Sequence, residues 1–440
     1  MNFKFEIAKI VASASRFTLK KILRRPGGFY PGKLALQIDK NIISELSDVI
    51  DGESVVVTGT NGKTSVTALI TACLESERNE VISNRTGANM ASGVAAAMLE
   101  YKKKNRRAKT YGVFEVDEMW VHKVVPALKA KYFVLLDLFP DQVDRMGSIE
   151  NIQRRIKEAL DASPNTVLIY NADDPNCQII ADNCNNESVS FGMHEIISDD
   201  QETSVELCPK CNNNLTYYIH QYAQLGDYKC NKCGFNRAKL DYGAANISLR
   251  TNKLKFSVGR THFKSNNAAE YVTYNLVGYI ACTDLLGCKP TTISKIIKKQ
   301  KNDNGRLQYF KINGKKVMIN LAKNPAGFNQ NIKYMLSNIG KEKSSCAFFV
   351  NTKEGDGHDS NWLYDVYFSR LKNADSLKVF YGGDASERLE SILNDNKLQP
   401  IHVENAQDVL NNSQNCENVY IIANYTAMFP LRDELMKMEK

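Results

Sequence analysis

Short apolar runs alternate with helical-period stretches along most of this chain. Val55–Val57, Tyr111–Val116, Tyr132–Asp137 and Thr166–Tyr170 read as buried strands. Between the first two, Val66, Leu69, Ile70 and Ala72–Leu74 supply the apolar positions of a helix that starts at Lys63. This alternation predicts a mostly parallel sheet covered by helices on both faces. A second set of strands, at Lys316–Asn320, Cys346–Val350, Leu377–Tyr381 and Val419–Ala423, predicts a smaller α/β domain without a glycine fingerprint for a dinucleotide. A chain of 440 residues exceeds one hydrophobic core. The expected division is a helical arm over 1–40, a central domain over 41–300 and a C-terminal α/β domain over 301–440.

In the arm, Ile7, Ile10, Val11, Ala14 and Phe17 share a helical face, and Pro26-Gly27-Gly28 ends the helix. Pro31-Gly32-Lys33 opens a second helical stretch that includes Leu34, Leu36 and Ile43. Lys4, Lys9, Arg16, Lys20, Lys21, Arg24 and Arg25 face a single acid, Glu6. Such a helix either lies on an anionic membrane or packs on its own domain with a solvated basic side.

Strand, tight loop, helix is the context that a phosphate-binding loop requires, and Gly59-Thr60-Asn61-Gly62-Lys63-Thr64 sits in it. Glycines admit backbone N–H groups to phosphate oxygens, and the helix N-terminus adds its positive end. Lys63 would reach the terminal phosphates of ATP, and the Thr64 hydroxyl would hold Mg²⁺. The spacing is shortened: Gly59 stands three residues before Gly62, where the standard loop has five. In open parallel sheets, ligands bind beyond the carboxyl ends of the strands. There the second strand runs into Glu115-Val116-Asp117-Glu118. These carboxylates either bind Mg²⁺, a hard cation taking oxygen ligands, or form a solvated acidic loop.

Of the eleven cysteines, four form Cys208-x-x-Cys211 and Cys230-x-x-Cys233, eighteen residues apart. Two thiolate pairs at this spacing make a tetrahedral Zn²⁺ site of the ribbon type. Four sulfurs fill the coordination shell, so the role is structural. Polar flanks mark about 205–237 as an insertion in the central domain. The scattered remaining cysteines fit a reduced, cytoplasmic setting. Hydrophobic content of 43% and charged content of 24% are those of an ordinary globular protein, and no apolar run approaches a membrane span. The net charge of +8 is modest for this length. The ribbon carries Tyr217, Tyr218, Tyr222 and Tyr228 but few bases, which argues against nucleic acid as partner.

The shortened loop and the segments after it resemble the Mur ligase family, whose members use ATP to form peptide-like bonds to carboxylates of cell-wall precursors. Glu115 matches the family's metal-binding glutamate. Asp137-Leu138-Phe139-Pro140-Asp141-Gln142-Val143-Asp144-Arg145-Met146 resembles a family segment in which Gln142 and Met146 replace frequent histidines. Asn171-Ala172-Asp173-Asp174 resembles a nucleotide-side segment. Tyr274-Asn275, at the start of a helix through Leu285, resembles the segment whose asparagine contacts adenine, and Gly305-Arg306 the pair that closes the central domain. The family's modified lysine, a second metal ligand, has no match here.

The zinc insertion points to one branch of the family, in which the ligase subunit works with a GatD-like glutaminase. Ala322-Lys323-Asn324-Pro325-Ala326-Gly327 and the stretch from Gly355 to Asp365 resemble segments of that branch. The resemblance implies ATP-dependent amidation of the D-glutamate α-carboxyl in lipid II, through an acyl phosphate, at the inner face of the membrane. An aspartate of the second segment, Asp356 first and Asp359 second, would complete the partner's catalytic set. The chain itself holds no Gly-x-Cys-x-Gly elbow, so ammonia must come from elsewhere. The competing expectation is a stand-alone Mur or folate-type ligase that adds an amino acid.

Overall fold

A computed structural model describes residues 3–439 apart from 23–27, 85–87, 140–147, 198–205, 251–252, 268, 301–306, 340–341 and 375–376. The chain forms two compact units. One comprises residues up to Phe139 together with Ser148–Gln300, and the other the described residues from 307 onward.

The first unit is built on a nine-stranded sheet. Its strands are β1 (Ser54–Thr58), β2 (Glu80–Ile82), β3 (Thr110–Glu115), β4 (Tyr132–Leu135), β5 (Val167–Asn171), β6 (Ser188–Met193), β9 (Tyr242–Arg250), β10 (Lys253–Val258) and β11 (Thr261–Ser265), while β7 (Thr216–Tyr222) and β8 (Leu225–Lys229) make a separate hairpin. The sheet order is β11-β10-β9-β6-β5-β4-β1-β3-β2. All pairs from β2 to β9 are parallel, and β10 and β11 add an antiparallel edge. Every residue of β1 and β4 is buried, as continuous Val and aromatic runs require when helices cover both faces. The chain leaves β1 toward β2 and leaves β4 toward β5, on opposite sides. The sheet therefore opens beyond the carboxyl ends of β1 and β4.

The helix Phe3–Phe17 belongs to this unit and packs on the helices Tyr30–Ile38 and Ala91–Glu100. Its inward residues are Ala8 and Ala12, 0% and 1% exposed. Of the apolar face read from the sequence, Ile10 and Phe17 point outward. The two helices beneath it approach each other closely: a Cβ on Gly32 of the helix Tyr30–Ile38 would lie 1.9 Å from the carbonyl oxygen of Ser92 on the helix Ala91–Glu100.

The second unit has a six-stranded sheet made of β12 (Gln308–Ile312), β13 (Lys315–Leu321), β14 (Ser344–Phe349), β15 (Lys378–Gly382), β16 (Ile401–His402) and β17 (Asn418–Ala423). Their order is β12-β13-β17-β14-β15-β16, parallel except for β12 against β13. The core joins Val317, Ile319, Ala347, Phe380 and Ile421 to Met428, Leu431 and Leu435 of the helix Tyr425–Met438.

Candidate functional site

The loop between β1 and the helix Lys63–Ser76 is pressed from two sides. Gly59 has φ +134° and Gly62 +83°, conformations that favour glycine. A Cβ on Gly62 would lie 2.1 Å from Asn275 Oδ1, and one on Gly59 would lie 2.9 Å from the Asp137 nitrogen. The segment after β4 holds the loop by four hydrogen bonds. The Thr60 N–H donates to the Asp137 carbonyl (2.9 Å) and the Asn61 N–H to Asp137 Oδ1 (2.7 Å). Thr60 Oγ1 donates to the Phe139 carbonyl (3.2 Å) and accepts from the Phe139 N–H (3.0 Å). The half-buried Thr64 follows in the first turn of the helix, where N–H groups have no helical partner.

Lys63 is buried. Its Nζ donates to Glu118 Oε1 at 2.8 Å, to the Thr60 carbonyl at 3.4 Å and to the Gly59 carbonyl. Burial works to lower its pKa, but the charges of Glu118, Asp117 and Glu115 and the Glu118 hydrogen bond outweigh burial and hold it above the ordinary lysine value. Glu115, Asp117 and Glu118 are 6%, 7% and 1% exposed, which rules out a solvated acidic loop. Asn84 fixes the backbone of Glu115: its side-chain amide donates to the Glu115 carbonyl (2.7 Å), and its Oδ1 accepts from the Glu115 N–H (2.9 Å). Glu118 Oε2 is buried and has no hydrogen-bond partner among the described residues. Buried hard oxygens, one of them orphaned, fit a divalent cation shared with phosphate.

Asp137 is pushed up to about 8, first by burial and then by Asp174 and Glu118, while the Asn61 N–H and Lys63 oppose the rise. Between about pH 4 and 8 the folded chain keeps a proton that the unfolded chain has released, so this residue's contribution to stability falls as pH rises across that window. Asp137→Asn retains the acceptor for Asn61 and is expected to flatten the pH dependence of urea unfolding there. An unchanged slope would mean that the carboxyl is ionised in the fold.

Asn275 lies in the second turn of the helix Glu270–Leu285 rather than at its start. No breaker interrupts 270–274, and Glu270 suits the positive end of the first turn. Arg306, Gln142 and Met146 lie outside the described residues. Asp173 and Asp174 are fully buried and pushed up to about 6, chiefly by burial. Asp173 accepts from the Met193 N–H, Tyr274 Oη and Arg237, and Asp174 accepts from the Leu138 and Asn176 N–H groups. Both hold the scaffold together.

Cys208, Cys211, Cys230 and Cys233 converge, with their sulfurs within 4.8 Å of one another, and could hold a metal ion. Cys208 and Cys233 are 3.6 Å apart and Cys211 and Cys230 are 3.5 Å apart. A tetrahedral ZnS₄ centre puts its sulfurs about 3.8 Å apart. Each pair sits on a knuckle closed by a left-handed residue, Asn212 (φ +58°) or Gly234 (φ +76°), whose N–H donates to the first cysteine's carbonyl. The hairpin β7–β8 carries this centre to the loop region. Tyr222 stacks on Phe139 (6.1 Å) and meets Tyr274 edge-on, and Gln224 donates to the Leu138 carbonyl (3.1 Å). Arg237 ties the ribbon to Asp173, and Tyr228 Oη donates to the Ala172 carbonyl. Local spacing revealed the cysteines. It gave no sign of the contacts that Glu118, Asp137 and Gln224 make across the fold.

In the second unit, Ala322–Gly327 proves to be a helix start: Asn324 Oδ1 accepts from the Gly327 N–H, and Pro325 occupies the first turn. Asp356 is 5% exposed, and its carboxylate accepts from the Thr426 N–H (3.0 Å) and from the Thr426 hydroxyl. Burial raises its pKa, opposed by those bonds. Asp359 is exposed and accepts from the Asn361 N–H, with Arg388 at 4.0 Å. His358 is exposed and its Nδ1 lies 3.0 Å from the Thr352 carbonyl.

Comparison with known proteins agrees with this arrangement. The model of the Mur ligase middle domain matches residues 57–217, and that of the MurT ligase C-terminal region matches 321–428. The MurT subunit of lipid II isoglutaminyl synthase (glutamine-hydrolyzing) from Streptococcus pneumoniae is 30% identical over 99% of this chain and 98% of its own. The protein of that name from Staphylococcus aureus is 30% identical over 98% of this chain and 96% of its own. A pseudomurein peptide ligase type C from Methanothermus fervidus has the same fold, with a TM-score of 0.69 at 18% identity over 89% of this chain and 79% of that one. The chain belongs to the Mur ligase family, in its MurT branch.

Proposed function

We propose that this chain is the ligase subunit of a lipid II isoglutaminyl synthase. What carries the reading is the end-to-end match to MurT subunits together with a loop, a lysine and buried carboxylates assembled at the carboxyl ends of β1 and β3. ATP's terminal phosphoryl group transfers to the D-glutamate α-carboxylate of the stem peptide, giving an acyl phosphate and ADP. Ammonia attacks the carbonyl carbon, the carbon–oxygen bond to phosphate breaks, and a proton leaves the nitrogen to give the amide. The N–H groups of Gly59–Thr64 cradle the phosphates, and the Lys63 ammonium offsets charge at the transferring group. Asn275 positions the nucleotide against the loop. Thr64 and Glu115 would hold Mg²⁺, which would offset negative charge on the phosphates when bound. The four cysteines would hold Zn²⁺ in a closed, structural site. Arg306 is assigned to the nucleotide by resemblance alone.

Ammonia comes from a GatD-like glutaminase, the names of the relatives designating them subunits. No helix among the described residues is long and apolar enough to cross a membrane. The chain works at the inner face of the plasma membrane, where lipid II is modified. Asp356 is the residue assigned to orient the partner's catalytic histidine. Such a carboxylate must itself be held, as Thr426 holds Asp356, and it retains lone pairs for a further donor.

The test feeds Mg-ATP and lipid II with glutamine, with and without co-purified glutaminase, or with ammonium. Glutamine-fed amidation is expected only with the partner, and ammonium-fed amidation without it. Amide formation with a free amino acid and no partner would instead make this a stand-alone ligase. Asp356→Asn is expected to cut the glutamine-fed rate by roughly 10²–10⁴-fold while sparing the ammonium-fed rate. An equal fall in both would reduce Asp356 to a helix anchor, and the same split in Asp359→Asn would transfer the role to that residue.

A further inference from the structure

The helix Phe3–Phe17 turns its largest side chains away from the protein. Phe3, Ile10 and Phe17 are 78%, 66% and 62% exposed. They recur every seven residues, two helical turns apart, so they form one stripe along the face opposite Ala8 and Ala12. Packing within the unit uses the alanine face with the half-buried Ile7 and Val11 beside it, and the Arg16 guanidinium donates to the Ala96 carbonyl. The stripe is therefore unexplained by the fold. It does not suit a coiled-coil partner. The positions that would complete a seam are Glu6, Ser13 and Lys20 in one heptad register, and Ile7, Ala14 and Lys21 in the other. The first set is polar throughout, and the second offers one large apolar side chain, which is already half-buried.

Charge identifies the occupant. The first 25 residues hold seven bases and one acid, a local charge of +6 in a chain whose total is +8. That one acid, Glu6, is paired with Lys9 at 3.4 Å. Sparse large apolar groups flanked by lysine and arginine match an anionic bilayer surface, in which the apolar side chains enter the acyl boundary and the bases stay among the headgroups. Phe29 and Tyr30, 41% and 49% exposed, add aromatic groups of the kind found at such boundaries.

We infer that the outer face of the helix Phe3–Phe17 docks this subunit on an anionic membrane, bringing the ligase to a lipid-linked substrate. The choice of substrate rests on the function proposed above, whereas the docking surface does not. The experiment co-sediments the purified full-length chain with vesicles of phosphatidylcholine alone or mixed with phosphatidylglycerol. Binding is expected only with the anionic lipid and is expected to weaken as salt rises. The triple variant Phe3→Ser, Ile10→Ser, Phe17→Ser alters only exposed positions and is expected to lose at least about tenfold in vesicle affinity. It should amidate detergent-solubilised lipid II at the parental rate. A variant with Lys4→Glu and Lys9→Glu should lose binding with no change in melting temperature.

Failure of the parent to bind phosphatidylglycerol, or equal binding by the triple variant, overturns the proposal. So does loss of self-association or of glutaminase binding in that variant, since the stripe would then be a protein interface. If the parent binds vesicles but cannot amidate solubilised lipid II with its partner, the functional reading fails and the membrane surface stands.

Discussion

Lys63→Met is expected to leave amidation at least roughly 10²–10³-fold below the parent, whether ammonium or glutamine supplies the nitrogen. The ammonium ion of Lys63 sits among three buried carboxylates at the mouth of the phosphate loop, and it is the cation that offsets them. Its loss removes the charge proposed to meet the transferring phosphoryl group. It also leaves Glu118, 1% exposed at its side chain, as an uncompensated buried anion, an arrangement that costs about 3–5 kcal/mol. The single variant should therefore melt earlier as well as lose activity. Adding Glu118→Gln separates the two effects, because a neutral amide fills the same space. The double variant is expected to recover its melting temperature but not its activity. Recovery of both would mean that Lys63 serves only to neutralise Glu118. Phosphate release with lipid II and ammonium, beside a thermal melt, reads both quantities.

The second large effect concerns the ribbon. Its buried core is small: Cys208, Leu215, Tyr228, Cys230 and Phe235. Structural zinc supplies about 10–16 kcal/mol in comparable small sites, far more than this cluster offers. Elemental analysis of the parent is expected to find one zinc per chain, and Cys230→Ser, or treatment with a chelator, is expected to abolish it and to unfold the hairpin. The hairpin's tip braces Leu138 and Phe139, and Phe139 in turn holds Thr60. ATP affinity should therefore fall along with the metal. Undiminished ATP binding by the stripped protein would show that the ribbon and the loop are independent.

These two sites are legible in the sequence to different depths. The cysteine pairs and the Gly59–Thr64 loop are local patterns, whose spacing alone limits what they can build. Glu118 as the partner of Lys63 and Asp137 as the staple of Asn61 are contacts across 55 and 76 residues, set by strand order. Nothing in either segment declares them. The long apolar strands can be read to within a residue or two, whereas β10 and β11 carry no continuous apolar run; their signal is the alternation of buried Leu254, Phe256 and Phe263 with exposed Lys253, Lys255, His262 and Lys264, as an antiparallel edge with one wet face requires. The N-terminal helix misleads for a different reason. Hydropathy ranks Ile and Phe above Ala, yet the face that packs on the unit carries Ala8 and Ala12, while Phe3, Ile10 and Phe17 stay outside.

The grip of Thr426 on Asp356 gives the last stretch of the chain an unexpected importance. The helix Tyr425–Met438 both fills the core of the second unit and fixes a loop about seventy residues upstream. Deleting that helix would strip Met428, Leu431 and Leu435 from the face of the six-stranded sheet. Its removal would also free the carboxylate proposed to serve the glutaminase, so one deletion would remove packing and the Thr426 grip together.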